Sequence, residues 1–556
     1  MSASTPKKNS FFGGAAILTA SVIVVKLIGA LYKIPLGGIL SDAGFADFNT
    51  AYNIYSLLII ISTGGLPVAL SKMVSEANAV GRGNQVKKVF SLALATFCVL
   101  GTVSFCIMAF FPHQLADLMR DSHAAYSILA LAPAVFFICP LSAFRGYFQG
   151  HTLMTPTAVS QVIEALCKLV IGLALASLFM KRELGESVAA AGAILGVSVG
   201  CMLGALYVYL CYRGHVRTLP ESGDEPEASR DILFTLARLA IPITLSSSVI
   251  ALTNILDTSI MLGRLQDALK LTEDAARDMK GMYDKALTLY NLPASFMVPL
   301  TASVIPHVSA ALKVKRRRQA AQISETTLRT TALLAIPAGV GLFVLGEPII
   351  RLLYPSTDVV LAGWMLSVLG IASVSVCFML VSNSILQAHQ MVALPMATTV
   401  IGCALKLAVG YVLIGNENVG IKGGAISTVA CFGLIALLDM FIIKRTLPRS
   451  LSMARVFVKP VGAAAAMGLS AWAVNGLMTK AFMALNIFVT ETQELLPDGA
   501  AVVELSRTGA ALSVFGAIGV AVVVYLVLII FTRAISKDDL ALIPKGEKLA
   551  RILRVE

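Results

Sequence analysis

The chain has 556 residues, of which 57% are hydrophobic and 14% are charged, and its formal net charge is +12. Soluble domains carry about 25% charged residues, so this composition excludes an ordinary soluble protein and indicates one whose main solvent is lipid. The cations are spread over short loops between apolar runs instead of forming one stripe. This distribution excludes nucleic acid as a partner and is typical of an oriented membrane protein.

Apolar runs of about 20 residues, long enough to cross a bilayer, predict about fourteen transmembrane helices. We expect them near 13–35, 50–71, 89–112, 124–147, 154–180, 188–212, 236–262, 283–310, 327–346, 359–385, 391–415, 422–443, 457–481 and 509–532. The first run follows two lysines, as in a signal peptide, but it is too long and no small-residue cleavage site follows. We therefore expect it to be retained as the first helix.

The charge of the loops predicts the orientation of these helices. Cations cluster after even-numbered helices, in 72–88, 313–318, 444–459 and the tail 533–554. The opposite loops, 41–47, 354–358 and 490–507, are acidic or poor in cations. Because cationic loops stay in the cytoplasm, we expect a multi-pass protein of the cytoplasmic membrane with both termini cytoplasmic.

Short motifs recur at a constant offset of 238 residues. Tyr52-Asn53 recurs as Tyr290-Asn291, Gln149 as Gln387, His151 as His389, Lys168 as Lys406 and Gly172 as Gly410. The offset equates helix 2 with helix 8, and helices 4 and 5 with helices 10 and 11. It predicts two parallel six-helix repeats, an architecture typical of transporters that expose a shared site alternately to the two sides.

The repeat predicts the domain organisation. We expect an N-terminal lobe at 1–212, a cytoplasmic linker at 213–235 and a C-terminal lobe at 236–445. The linker is predicted because this stretch is rich in Pro, Gly and acidic residues. The remainder, 446–556, is expected to hold helices 13 and 14 and a cytoplasmic tail.

Charged side chains inside the membrane cost about 2.5–3.5 kcal/mol on insertion scales, so each one requires a partner or a hydrated cavity. The cations predicted to line such a cavity and bind substrate are Lys26, Lys33, Arg145, Lys168, Lys285 and Lys406. The residues predicted to line the cavity or couple ions are Asn53, Glu164, Asn254, Asp257 and Asn291.

Simpler interpretations of these charges stay open. Glu164 and Lys168, four residues apart, are in the favourable order for an intrahelical pair. Arg145 and Lys33 lie near the ends of their helices and are candidates for snorkelling to the interface. Asp257 is expected either to pair with a lysine of another helix or to bind a coupling sodium ion or proton.

Glycines and prolines interrupt the equivalent helices 2 and 8, with Gly64, Gly65 and Pro67 in the first and Pro293, Pro299 and Pro306 in the second. Interrupted helices free backbone polar groups that must face protein or water. We expect these two helices to line a cavity and bend, with static kinking as the alternative.

Enzyme signatures are missing from the sequence. It contains no G-x-x-x-x-G-K-[ST], H-E-x-x-H or G-x-S-x-G motif. The nine cysteines lie almost wholly within apolar runs and show no metal spacing. We therefore expect a transporter that is not an enzyme and that has no cofactor or metal apart from a coupling sodium ion or proton.

Several segments resemble a known family. KLIGALYKIPLGGIL, FRGYFQGHTLMTPTAVSQVIEALCKLVIG and LYNLPASFMVPLTASVIPHVSAALK are similar to the polysaccharide-exporter branch of the multidrug/oligosaccharidyl-lipid/polysaccharide (MOP) flippase superfamily. More narrowly, they resemble the MurJ-type and stage V sporulation protein B-like lipid II flippases. The resemblance covers essentially the whole chain.

The resemblance implies an all-α, MATE-like V-shaped monomer with two six-helix lobes around a cationic cavity, and with a groove at helices 13 and 14. Such proteins move the undecaprenyl-pyrophosphate-linked peptidoglycan precursor across the membrane, with its polyprenyl tail in that groove and the lipid. Lys26, Lys33 (or Tyr32) and Lys285 fall near the family's cations. The sequence departs from the Gram-negative pattern because 51–70 has no cation and lysine replaces arginine.

Three functions follow from these expectations. The leading one is a lipid II flippase for wall growth or sporulation, and another lipid-linked glycan is an alternative cargo. The second is a cation-coupled multidrug exporter of the same superfamily. The third is a non-transporting partner in a cell-wall assembly, or a membrane enzyme that acts on polyprenyl phosphates.

Overall fold

The computed structural model describes residues 8–217, 222–391, 393–446, 453–495 and 501–532. Parts of the predicted linker and of the predicted 490–507 loop lie outside the described residues, as does the predicted cytoplasmic tail from residue 533 on. The helices are α1 (Lys8–Ile39), α2 (Asp42–Thr63), α3 (Leu66–Ala79), α4 (Gly83–Phe110), α5 (Pro112–Leu118), α6 (Ala125–Gly150), α7 (Thr155–Cys167), α8 (Leu173–Lys181), α9 (Glu186–Val216), α10 (Ser229–Asp267), α11 (Glu273–Lys313), α12 (Arg317–Val344), α13 (Gly346–Leu353), α14 (Val359–Ala388), α15 (Ala393–Ile414), α16 (Lys422–Thr446), α17 (Met453–Ala484) and α18 (Arg507–Phe531).

The predicted all-α membrane fold is confirmed. Within the described ranges, 13 helical segments are long and apolar enough to cross a membrane. Together they account for every predicted helix except the eighth. The eighth prediction, 283–310, lies in α11, which is helical over Glu273–Lys313.

A small element departs from the all-helical expectation. Strands β1 (Val489–Leu495) and β2 (Ala501–Leu505) pair antiparallel, with Val489 opposite Leu505. They lie in the segment predicted as the acidic loop 490–507. Threonines and valines in this segment favour extended backbone, a preference that charge alone did not reveal.

Helix 2 is interrupted where the sequence predicted, and helix 8 is not. Chain direction is preserved across the break at Gly64 and Gly65, between α2 and α3. A Cβ at Gly65 would lie 2.1 Å from the carbonyl oxygen of Ala240 in α10, so the break coincides with a close helix contact. The Gly65 amide donates to Thr244 Oγ1 at 3.0 Å. By contrast, α11 is continuous through Pro293, and the bending of helices 2 and 8 stays a prediction.

The predicted repeat recurs in the backbone. After α6, His151 follows the last helical residue and Thr152 has a φ of 60°. After α14, His389 follows the last helical residue and Gln390 has a φ of 62°. The copies differ one helix later, because Lys168–Gly172 forms a π-helical turn between α7 and α8, whereas α15 is a regular α-helix around Lys406.

The chain divides into two compact units, Met1–Asp284 and Lys285–Glu556. The division falls within α11, whereas the sequence analysis placed its lobe boundaries at the linker 213–235. The described part of that linker packs on the first unit, where Asp224 accepts hydrogen bonds from the amides of Asn84 and Gln85. Each unit has its own hydrophobic core. The lobe boundaries of the repeat stay a prediction.

Candidate functional site

The first unit contains a polar cavity of about 350 Å³ between α1, α2, α6, α7 and α9. Four of the residues predicted from sequence line it together, namely Lys26, Arg145, Glu164 and Lys168. Sequence reasoning missed other polar members of the lining, namely Tyr52, Tyr55, Gln161 and Cys201. The cavity therefore gathers residues that are up to 179 positions apart in the sequence, from Val22 to Cys201.

Arg145 and Glu164 form an ion pair across α6 and α7. The Arg145 Nη2 to Glu164 Oε1 distance is 2.7 Å, and both side chains are largely buried. Arg145 Nε also donates to Ser160 Oγ at 2.9 Å. Glu164 therefore pairs with Arg145 instead of Lys168, and Arg145 is held by Glu164 and Ser160.

Lys168 lies between two aromatic rings. Its Nζ is 4.8 Å from the ring centroid of Tyr32 and 4.9 Å from that of Tyr52. The Tyr32 hydroxyl donates to the Ala193 carbonyl at 3.0 Å, which fixes the first ring. Cation–π contacts stabilise a desolvated ammonium by about 0.5–2 kcal/mol. The two rings contact Lys168 without supplying a countercharge.

The local backbone explains how Lys168 reaches this position. Lys168 begins the π-helical turn, and such turns re-aim side chains and occur often at functional sites. Helix α9 lies against the turn because Gly196 has no side chain. A Cβ at Gly196 would lie 2.5 Å from the Gly172 amide nitrogen.

Lys33 and Asn53 lie near the cavity but outside its described lining. Lys33 Nζ donates to Asn49 Oδ1 at 3.2 Å and lies 5.7 Å from the Tyr52 ring centroid. Lys33 is therefore held by protein groups, contrary to the snorkelling interpretation. Asn53 Nδ2 donates to Thr258 Oγ1 at 3.1 Å, which ties α2 to α10.

The remaining predicted residues are not in this cavity. Lys285 belongs to the second unit, is fully buried and donates to Thr357 Oγ1 at 3.1 Å. Lys406 is also buried in the second unit, and Asn291 is exposed there. On α10, Asp257 is buried and Asn254 is exposed. Their proposed roles in substrate binding and ion coupling stay predictions.

Charge is the main chemical property of the cavity. Lys26, Arg145 and Lys168 bring three positive charges, and Glu164 brings one negative charge. In a medium of low dielectric constant, uncompensated charge of one sign strongly attracts the other sign. The arrangement suits an anionic group with several acceptor oxygens. In the described part of the chain, no cluster of three or more His, Cys, Asp or Glu residues could hold a metal ion.

Sequence reasoning also missed a buried ion cluster in the first unit. Arg277 Nη2 lies 2.8 Å from both carboxylate oxygens of Asp47, and Arg277 Nε lies 3.5 Å from Asp121. Arg277 is 4% exposed, and both acids are 0% exposed. Burial lowers the pKa of Arg277, but Asp47 outweighs this and the net pKa is raised. The sequence feature that could have indicated this cluster is a single arginine, Arg277, in the acidic stretch before helix 8.

Comparison with known proteins gives the family. The family described as "Polysaccharide biosynthesis protein" matches residues 11–312, more than half of the chain. The chain belongs to the polysaccharide biosynthesis protein family. Residues 283–412 also match the MatE family.

Relatives of this polysaccharide biosynthesis family member include two Bacillus subtilis proteins. The chain is 25% identical to stage V sporulation protein B over 97% of its own length and 98% of that protein. It is 28% identical to lipid II flippase MurJ over 78% of its own length and 82% of that protein. The sequence resemblance to these two groups is confirmed.

Solved structures show the same fold. The inward closed conformation of lipid II flippase MurJ aligns with a TM-score of 0.64 at 16% identity and covers 94% of this chain and 98% of that chain. An inward-facing MATE family multidrug transporter of the MOP superfamily aligns with a TM-score of 0.63 at 15% identity, over 78% and 98% of the two chains. This family member is therefore a multi-pass membrane protein with the MOP fold.

Proposed function

We propose that this protein is a flippase that moves a polyprenyl-diphosphate-linked glycan across the cytoplasmic membrane by alternating access, with the peptidoglycan precursor lipid II as its cargo. The cationic cavity of the first unit is the observation that carries this proposal. A diphosphate that leaves water requires compensating charge, and Lys26, Arg145 and Lys168 supply it. The relative named lipid II flippase MurJ supports the same cargo.

The residues have distinct parts in this proposal. Arg145 offers a planar guanidinium that matches phosphate oxygens, and Glu164 holds it in place. Lys168, fixed between Tyr32 and Tyr52, offers a point charge in the same cavity. Lys26 is exposed and lines the cavity from α1, which suits first contact with an arriving head group.

Reconstituted transport tests the proposal. Purified protein in proteoliposomes should transfer fluorescent lipid II between leaflets, with and without an imposed membrane potential, sodium gradient or proton gradient. Lys168→Gln should slow transfer about tenfold or more, because contacts to charged groups contribute about 1.5–3 kcal/mol. Lys72→Gln is the matched control, since Lys72 is 56% exposed and lies outside the cavity lining.

Two results would contradict the proposal. One is a wild-type protein that leaves lipid II and related polyprenyl-diphosphate glycans untransferred in every gradient. The other is a Lys168→Gln protein that transfers them at the rate of Lys72→Gln.

A cation-coupled multidrug exporter is the second candidate, because residues 283–412 match the MatE family and Glu164 lies in the cavity. An exporter of organic cations would use Glu164 as its binding acid, but Arg145 already pairs with that carboxylate and the cavity holds two further cations. Export of an organic cation from the same proteoliposomes, without lipid II transfer, would establish this function instead.

A further inference from the structure

Two cavities of the second unit lie one after the other along the same two helical segments. One is apolar, has a volume of about 590 Å³ and is lined by α12 and α17, including Val340, Phe343, Gly468 and Trp472. The other is polar, has a volume of about 200 Å³ and is lined by α13, α17 and the start of α18.

Helical periodicity joins the two cavities. On α17 the lining residues step by three or four positions, from Ala465, Gly468 and Trp472 to Asn475, Thr479 and Met483. Residues spaced by three and four share one face of a helix. Helix α17 therefore presents one continuous stripe that is apolar at one end and polar at the other. The facing wall bends at Leu345, so Val340 and Val344 of α12 line the apolar cavity, and Glu347 and Arg351 of α13 line the polar one.

The dimensions of this groove match one leaflet of a bilayer. From Ala465 to Asn475 along α17 the rise is about 15 Å at 1.5 Å per residue, and one leaflet contributes about 15 Å of hydrocarbon. Phe343 and Trp472 stay largely exposed along the apolar part. Arg351 lies beyond Val344, where the membrane-spanning segment of α12 ends. The polar cavity thus lies at head-group depth, at the opposite end of α12 from its cationic start at Arg317.

The polar cavity has groups of both signs. Arg351 Nη2 lies 3.0 Å from Glu347 Oε1, and both side chains are partly exposed. Asn475 Oδ1 is buried without a hydrogen-bond partner, and Thr479 and Ser513 complete the polar lining. A guanidinium suits a phosphate ester, whereas a carboxylate and an amide oxygen suit an ammonium group. The volume equals that of roughly seven liquid waters, enough for one such head group.

We propose that this groove binds one resident aminophospholipid of the bilayer, with its phosphate on Arg351, its ammonium group toward Glu347 and Asn475, and one acyl chain along Phe343 and Trp472. This lipid is a structural ligand of the second unit and differs from the cargo of the flippase. The site does not depend on the cavity of the first unit, so either proposal can fail alone.

Trp472 fluorescence tests the site directly. The chain has two tryptophans, so Trp364→Phe leaves Trp472 as the sole reporter. In nanodiscs, phosphatidylethanolamine with brominated acyl chains should quench Trp472 with a component that saturates at low mole fraction. Arg351→Gln should raise the half-saturating mole fraction about fivefold or more, because a charge-assisted contact to phosphate is lost.

Controls separate a site from ordinary boundary lipid. Arg507→Gln removes an exposed cation outside both linings and should leave the quenching curve unchanged. Ser513→Leu, which fills the polar cavity, should weaken binding as Arg351→Gln does, so a folding defect in one variant does not decide the outcome. Size-exclusion profiles and circular dichroism identify folded samples.

Several results would overturn the proposal. Quenching that rises in proportion to mole fraction would show boundary lipid only. Equal curves for Arg351→Gln, Ser513→Leu and the parent protein would exclude the polar cavity as the head-group site. Saturable quenching by a brominated polyprenyl diphosphate, but not by phosphatidylethanolamine, would assign the groove to the cargo.

Discussion

At the scale of single residues, burial and partner decide the role of each charge. The sequence identified Arg145, Glu164 and Lys168 as costly charges in apolar helices. In the structure, all three line one cavity. Their partners could not be predicted. Glu164 is four residues from Lys168 in sequence but pairs with Arg145 on another helix at 2.7 Å. Two tyrosines that no charge pattern singled out, Tyr32 and Tyr52, hold Lys168.

Arg277 should be essential for the stability of the first unit. Arg277→Gln leaves the buried carboxylates of Asp47 and Asp121 without their cation, and loss of one partner from a buried pair costs about 3–5 kcal/mol. We expect a marked drop in the melting temperature of the detergent-solubilised protein. The measurement is the fraction of protein recovered by size-exclusion chromatography after heating.

The control for Arg277 is available in the same cluster. Asp274 also contacts Arg277 but is 76% exposed, so Asp274→Asn should change stability by less than about 1 kcal/mol. Adding Asp47→Asn to Arg277→Gln should restore part of the lost stability. Equal melting temperatures for Arg277→Gln and Asp274→Asn would disprove this assignment.

Asp121 should make stability depend on pH. Burial, followed by repulsion from Asp47, raises its pKa to about 7. An unfolded aspartate has a pKa of about 3.9. Between these values the folded state holds a proton that the unfolded state lacks, so this contribution to stability is complete below about pH 4 and is lost as the pH rises to about 7.

Asp121→Asn should remove this dependence, because asparagine resembles the protonated acid. Melting temperatures measured from pH 5 to pH 8 should fall less steeply for Asp121→Asn than for the parent protein. Parallel curves for the two proteins would refute the role of Asp121. Asp117→Asn, at an exposed position in α5, is the control.

At the scale of elements, an acidic segment from the linker caps helix α4. The side chain of the preceding residue, Arg82, does not cap this helix. Asp224 does so from the linker and accepts from the amides of Asn84 and Gln85 at 2.8 and 2.9 Å. Slight burial raises the pKa of Asp224, but hydrogen bonds from Ser222 and these amides outweigh it and lower the pKa to about 2. The linker is thus fastened to the first unit.

Asp224→Ala should release this fastening. The missing cap frees two amides at the start of α4, and the linker loses two of its hydrogen bonds to that helix. Limited proteolysis should then cut the linker faster than in the parent protein, whereas Asp231→Ala, at an exposed position in α10, should not change the rate. Equal cleavage rates for Asp224→Ala and the parent would contradict this role.

The presence of each helix was easier to predict from the sequence than the positions at which a helix is interrupted. Long apolar runs located the helices because the bilayer sets their minimum length. The break at Gly64 and Gly65 followed from two adjacent glycines, since glycine permits the contact with Ala240. The π-helical turn at Lys168–Gly172 had no sequence signal, because its repeat partner around Lys406 is a regular helix. Packing against α9 distinguishes the two copies.

At the scale of the whole molecule, the orientation in the membrane rests on loop charge. The cationic 313–318 segment and the described linker are predicted to be cytoplasmic, and 354–358 is predicted to be outside. A cysteine at exposed Ser356, in a variant without native cysteines, should react with an impermeant maleimide added to intact cells.

The matching position on the other side is exposed Lys315, and a cysteine there should react only after the cells are opened. Labelling of both positions, or of Lys315→Cys alone, in intact cells would reverse the predicted topology. The result bears on function as well, because it fixes the leaflet at which each cavity admits lipid.

The sequence alone determined that this is a duplicated, mainly helical membrane protein, because apolar run length, loop charge and a constant repeat offset are linear properties of a chain. It also marked most of the cavity's charged residues, since a charge in lipid is costly wherever its partner lies. Only the tertiary structure decided which charges meet. Arg145 with Glu164, Arg277 with Asp47, and Lys168 between two tyrosines are contacts between different helices, and helix packing, not sequence spacing, determines their distances.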